Sequence, residues 1–189
     1  MIKRALLALS ACVALPVSAA WTLDTDASSL NFLTTKNAQV TEVHSFDRLQ
    51  GNVSDEGKLT VTVPLSSVNT NIDIRDTRMQ EMLFETSSYP NATFSATVPD
   101  ELISMAAGQS KTTSVEGEIN LHGVTAPATF QVVVNKLNDN TLTVATTAPT
   151  VISASSFKLE GGVKALQDVA KLNSITLAVP VTFSVAFTQ

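Results

Sequence analysis

Residues 174–188 read SITLAVPVTFSVAFT. Ile175, Leu177, Val179, Val181, Phe183, Val185 and Phe187 are apolar, while Thr176, Ala178, Pro180, Thr182, Ser184, Ala186 and Thr188 between them are small or polar. Successive side chains on a strand point to opposite sides, so a strict period of two marks a strand with one apolar face. At about 3.3 Å per residue this strand would span roughly 50 Å, where ordinary strands run to about five or six residues. Pro180 cannot donate to a ladder, which predicts a bulge or an unpaired edge inside it.

The same pattern recurs upstream. Leu59, Val61, Val63 and Leu65 alternate within a strand expected over 58–68, which carries Pro64 as a second ladder break. Phe130, Val132 and Val134 alternate within 129–137, and further strands are expected over 21–24, 29–36, 39–53, 93–98, 114–121 and 141–156. Turn-forming runs such as Ser54-Asp55-Glu56-Gly57 and Asn138-Asp139-Asn140 separate neighbours by few residues, which predicts antiparallel hairpins. Long one-faced strands bury that face either in a two-sheet sandwich or in a closed barrel. The strand length and the prolines, which mark places where a barrel can turn its corners, favour the barrel. The expected fold is therefore all-β: an extended antiparallel barrel with two short helices, in one domain over residues 21–189.

One helix interrupts at NIDIRDTRMQEMLF, residues 71–84. Ile72 and Ile74 alternate as a strand. Met79, Met82 and Leu83 then recur at helical spacing, with Thr77 and Gln80 in the form of a capping box. Met79, Met82, Leu83 and Phe84 are read as a lid over one barrel mouth, a role suited to adaptable Met side chains, with Arg75 beside the opening. The plainer reading makes the Met face ordinary core and pairs Arg75 with Asp73 or Asp76. A second helix is expected over 163–172, with Val163, Leu166, Val169 and Ala170 on one side.

Residues 1–20 carry a basic head at Lys3 and Arg4, an apolar run, and Ser18-Ala19-Ala20 at the end. This is the pattern of a cleaved secretory signal, too short to span as a membrane helix, and it predicts a periplasmic product. A lipoprotein box ending at Cys12 is the rival reading. Cys12 is the chain's single cysteine, so the exported domain has no disulfide. The formal net charge of −5 becomes more negative once Lys3 and Arg4 are lost, and basic runs are absent. Nucleic acid and anionic membrane surfaces are excluded as partners on that ground, and no second apolar run reaches membrane-spanning length. Nothing in the chain specifies an oligomeric state.

Motifs for catalysis are missing. No G-x-S-x-G elbow, close histidine ligand pair or glycine-rich phosphate loop occurs, so the expectation is a protein that is not an enzyme and has no metal or cofactor. His44 and His122 could meet with a carboxylate such as Glu42 to hold a metal, or each could sit at a strand end or turn. Asp24 with Asp26, and Glu116 with Glu118, read as solvated strand faces.

Several motifs in order resemble one family. Trp21-x-x-Asp24, Leu30-x-Phe32, Phe46-x-x-Leu49-x-Gly51, the segment Thr70 through Phe84, Tyr89-Pro90-x-Ala92-Thr93-Phe94, Leu121-His122-Gly123-Val124-Thr125 and Val179-Pro180-Val181-x-Phe183 are similar to the YceI-like, polyisoprenoid-binding family over residues 21–189. Ala27 stands where that family often carries His. The resemblance implies a lipocalin-like barrel, an exported protein, and an isoprenoid chain of the quinone or polyprenyl phosphate type held inside. The interior set is then Phe32, Leu59, Val61, Val63, Leu65, Phe94, Phe130, Val132, Val134, Ile175, Leu177, Val179, Val181 and Phe183. Two function classes stay open: a lipid-enclosing binding protein, and a structural barrel filled by its own side chains. With eight Phe, one Trp and one Tyr in the chain, the inward positions are mostly aliphatic, which leaves room for a slender ligand.

Overall fold

The computed structural model describes residues 19–189, and in it the alternating stretches form one antiparallel sheet of eleven strands. These are β1 (Ala19–Lys36), β2 (Val40–Phe46), β3 (Gln50–Ser54), β4 (Lys58–Pro64), β5 (Val68–Asn69), β6 (Asn91–Thr97), β7 (Ser110–Leu121), β8 (Val124–Asn138), β9 (Thr141–Thr146), β10 (Thr150–Ser153) and β11 (Ala178–Thr188). The sheet closes on itself through β11 and β1, in register from Thr22↔Thr188 to Phe32↔Val181. β2 and β3 share one position beside β1, β4 continues into β5, and β9 and β10 share the position beside β11. The result is an eight-position antiparallel barrel, the all-β lipocalin-like class expected. The expected signal segment falls almost wholly outside the described residues, as does Cys12; Ala19 and Ala20 open β1.

The strands differ from the expected spans where the barrel bends. The stretches 21–24 and 29–36 are one strand, bulged between Asp24 and Ser29. The Asp24 carboxylate accepts the amides of Asp26 and Ala27 at 3.0 and 3.2 Å, which holds the bulge in shape. The expected 39–53 strand breaks at residues 47–49, and 58–68 breaks at the 3-10 turn Leu65–Ser67. The 141–156 stretch breaks between β9 and β10 and ends in a 3-10 turn, Ala154–Phe157. A long strand on a closed, twisted surface must turn corners, and bulges and breaks supply them. The last strand is correspondingly shorter than its alternation: it holds 11 residues, about 36 Å. Upstream of it only the bridge Lys36↔Ile175 remains. Pro180 sits just past Val181, where the β1 ladder stops, so its missing donor leaves no gap on that side. Ala186, one of the small residues on the face opposite the apolar one, is buried because the bulge folds over it; Ser28 Oγ accepts its amide at 3.1 Å. Thr182, on the same face, is half-buried.

Short helices cover the two ends. α2 (Asp100–Ile103) places Leu102 and the following Met105 against Trp21 at one end. At the other end lie α1 (Asp73–Arg78), a π turn (Met79–Leu83) and α3 (Glu160–Val169). The expected strand at Ile72 and Ile74 is overturned, since helix begins at Asp73 and both isoleucines are exposed. Nor does Thr77 cap the helix: it lies inside it and its hydroxyl donates to the Asp73 carbonyl at 3.0 Å. The start is fastened by Asp76, whose carboxylate accepts the Thr70 amide at 2.8 Å and the Thr70 hydroxyl at 2.5 Å.

Candidate binding cavity

Inside the barrel runs a cavity of about 630 Å³ with an almost wholly apolar wall. Pockets that enclose small organic ligands measure about 300–1,000 Å³. Its closed end is Trp21, 1% exposed, with Lys136 Nζ 3.9 Å above the ring and donating at 2.9 Å to the Asp139 carbonyl. Its mouth lies between α1 and α3: Ile72, Ile74 and Val169 line the cavity while 46%, 58% and 40% exposed. The rim is tied shut on one side, because Asn37 donates to Ser174 O at 2.9 Å and Asn173 donates to Asn37 Oδ1 at 2.8 Å.

Of the interior residues read from the sequence, Phe32, Leu59, Val61, Val63, Leu65, Phe94, Phe130, Val132, Val134, Ile175, Val179, Val181 and Phe183 line this cavity. Leu177 does not. Residues 174–177 keep only the Lys36↔Ile175 bridge to β1, and Leu177 packs on the cluster of Ala154, Phe157, Leu159 and Val163, its carbonyl accepting from Ala154 N at 2.8 Å. Phe130 meets Phe94 and Phe183 edge-on at 5.2 and 5.3 Å, a favourable aromatic geometry that narrows the middle of the tube.

The lid residues divide likewise. Met79, Leu83 and Phe84 line the cavity and Met82 does not. Phe84 N donates to Met79 O at 2.9 Å, one residue further along than an α-helical bond would run. Widening the turn brings Phe84 beneath Met79 and rotates Met82 off the face that helical spacing predicted. Arg75 also lines the cavity, and it pairs with neither Asp73 nor Asp76. Its Nη1 lies 3.0 Å from Glu42 Oε2, and its Nη2 donates to Thr70 O at 2.7 Å. Lys36 Nζ reaches the same Glu42 oxygen at 2.7 Å. The Lys36 hydrogen bond and the nearby cations hold the Glu42 carboxyl below its ordinary value.

Sequence reasoning missed this polar corner. Facing positions on β1 and β2 are Leu30↔Phe46, Phe32↔His44, Thr34↔Glu42 and Lys36↔Val40. Read toward the mouth, one inward face passes from Phe to His to Glu, and the other from Leu and Phe to Thr and Lys. His44 is thus mid-strand and 4% exposed, not at a strand end; its Nε2 is 3.0 Å from Thr34 Oγ1. Burial, and then the charge of Arg75, pushes its pKa down. His122 does lie at a turn, against Tyr89 at 4.2 Å between ring centres. Among the described residues no group of three His, Cys, Asp or Glu could hold a metal ion. Ala27 lies exposed on the outer bulge, away from the cavity. The signal that could have exposed the corner is the gradient along the inward face of β1: Leu30, Phe32, Thr34, Lys36.

A family profile described as YceI-like domain matches residues 21–187, nearly the whole described chain. The chain belongs to the YceI-like family. A solved structure described as a polyisoprenoid binding domain from Saccharophagus degradans implicated in plant cell wall breakdown is 36% identical. It superposes with a TM-score of 0.87, covering 90% of this chain and 99% of that one. Burkholderia cenocepacia BcnA, at 19% identity, covers 87% of this chain and 98% of its own, and its TM-score of 0.66 shows the same fold. No curated protein matches the chain. No helix among the described residues is long and apolar enough to cross a membrane.

Proposed function

We propose that this YceI-like barrel is an exported, periplasmic binding protein that encloses an isoprenoid or similar apolar-chain lipid of the quinone or polyprenyl phosphate type. The observation that carries the reading is the cavity: about 630 Å³ of apolar space between Trp21 and the α1–α3 mouth. A barrel filled by its own side chains leaves few voids larger than a water molecule. The 36% identity to a polyisoprenoid binding domain supports the isoprenoid class. The protein acts as a container and not as an enzyme. The aliphatic wall excludes water from the chain, and the mouth residues Arg75, Met79, Leu83 and Phe84 close over it. The test is to purify the protein under native conditions, extract it with organic solvent and analyse the extract by mass spectrometry. A stoichiometric prenyl lipid is expected. An extract empty of lipid, with no binding of added prenyl lipids, would leave the self-filled structural barrel as the reading.

A further inference from the structure

The corner formed by β1, β2 and α1 has chemistry that a hydrocarbon chain does not use. Three cations, Lys36, Arg75 and Arg78, line the cavity there with one lining carboxylate, Glu42; the Asp76 carboxylate, held by Thr70, is also near enough to act on His44. Glu42 is shared by Lys36 and Arg75, and Arg78 has no ion-pair partner among the described residues. Two buried nitrogens of the same corner, His44 Nδ1 and Arg75 Nε, have no hydrogen-bond partner. The first belongs to a side chain only 4% exposed. Buried polar groups are almost always satisfied, because an unmade hydrogen bond leaves their loss of hydration uncompensated. A guanidinium Nε carries a proton in every state, so it can only donate. Nδ1 of His44 is the ring nitrogen opposite the one engaged by Thr34, and it donates whenever the Thr34 hydroxyl gives its proton to Nε2.

We infer that this corner is a head-group site for an anionic, oxygen-bearing head, of phosphate chemistry, carried on the apolar chain that fills the barrel. This rests on the lipid-enclosing reading above and adds to it the class of head. An oxyanion supplies the negative charge that Arg78 lacks and, once the His44 and Arg75 side chains turn their covered nitrogens toward it, the acceptors that those two lack. Charge-assisted bonds of this kind are roughly twice as strong as neutral ones. A neutral carbonyl or hydroxyl head would answer the donors but not the cation excess. Free phosphate shares the head chemistry but would leave the apolar tube unfilled.

The test uses delipidated protein and its single tryptophan, Trp21, which lines the cavity and reports on filling by fluorescence. Geranylgeranyl phosphate, geranylgeraniol and inorganic phosphate are titrated in parallel. Geranylgeranyl phosphate is expected to bind about tenfold or more tighter than the alcohol, as for hydrogen bonds to a charged group. Inorganic phosphate is expected neither to change the signal nor to compete. Arg75→Lys, which keeps the charge and loses Nε, and Arg78→Gln, which loses the charge, should each reduce the phosphate-to-alcohol affinity ratio several-fold. Because the ratio is measured within one protein, a general loss of stability does not move it. Equal binding of the two lipids, or an unchanged ratio in both variants, overturns the head-group site and leaves the barrel reading standing. Competition by inorganic phosphate as strong as the lipid's own binding overturns it in favour of a plain anion site. If neither lipid binds, the lipid-enclosing reading falls and takes the head-group site with it.

Discussion

His44 is an imidazole buried against Phe32 and Thr34, and burial and then the Arg75 charge oppose its protonation. Glu42 and Asp76 act in the opposite sense and Lys36 with Arg75, but burial leads. The unfolded chain takes up a proton as pH falls through about 6.5, while the folded protein does not until lower pH. Its contribution is therefore whole above about pH 6.5 and lost as pH falls below that value. Glu42, held low by Lys36 and Arg75, contributes above its ordinary value of 4.5 and loses that contribution in a separate, more acid window. Urea midpoints measured from pH 8 to pH 3 should show both declines. His44→Leu should flatten the upper one alone, and Glu42→Gln the lower one. An unchanged upper decline in His44→Leu would assign it to another group.

At the scale of elements, the mouth depends on how closely α3 lies against the π turn. A Cβ on Gly162 would come 2.8 Å from Met82 O and 2.9 Å from Leu83 Cα, both backbone atoms that cannot swing aside. A Cβ on neighbouring Gly161 meets nothing within 4 Å. Gly161→Ala should raise stability by up to about 1 kcal/mol through helix propensity. Gly162→Ala, with the same propensity gain, should instead lower it by about 1–3 kcal/mol through overpacking, and should hasten release of bound lipid. Denaturant midpoints and a lipid-transfer assay read both; parallel gains in the two variants would mean that α3 is free of the lid. The two faces of β11 make a similar pair. Val181 lines the cavity and Ser184 is exposed. Val181→Gln should cost roughly 1–3 kcal/mol and reduce extracted lipid, since it turns an amide into apolar space. Ser184→Gln should stay within about 0.5 kcal/mol, as surface changes do.

For the whole molecule, the cavity ties stability to cargo. Aliphatic walls around empty space lack the contacts of a filled core, so under the proposed function a stripped barrel should be the less stable form. A ligand that binds only the folded state adds about 2.7 kcal/mol at a hundredfold excess over its Kd. For a chain of this size each kcal/mol moves the melting temperature by about 2–4 °C. Scanning calorimetry should find the delipidated protein melting several degrees below the form as purified, and geranylgeraniol should restore the difference. Identical melting with and without lipid would count against a ligand-filled barrel.

Alternation in residues 174–188, repeated at 59–65 and 130–134, was enough to name the class of fold and most of the cavity wall. A period of two is a local consequence of strand geometry and needs no partner to be visible. Leu177 and Met82 were misplaced because each assignment extended a local period past a point where the backbone changes course, at the end of a ladder and in a π turn. Closure was not legible in the same way. It requires Thr22 to meet Thr188 across nearly the whole chain, a register set by twist, bulges and corners together. The polar corner was hidden for the opposite reason. His44, Glu42 and Lys36 look like interruptions of an apolar face when each strand is read alone. Only the β1–β2 register, with Arg75 brought to Glu42 from 33 residues away, turns those interruptions into one charged site at the mouth of an apolar barrel.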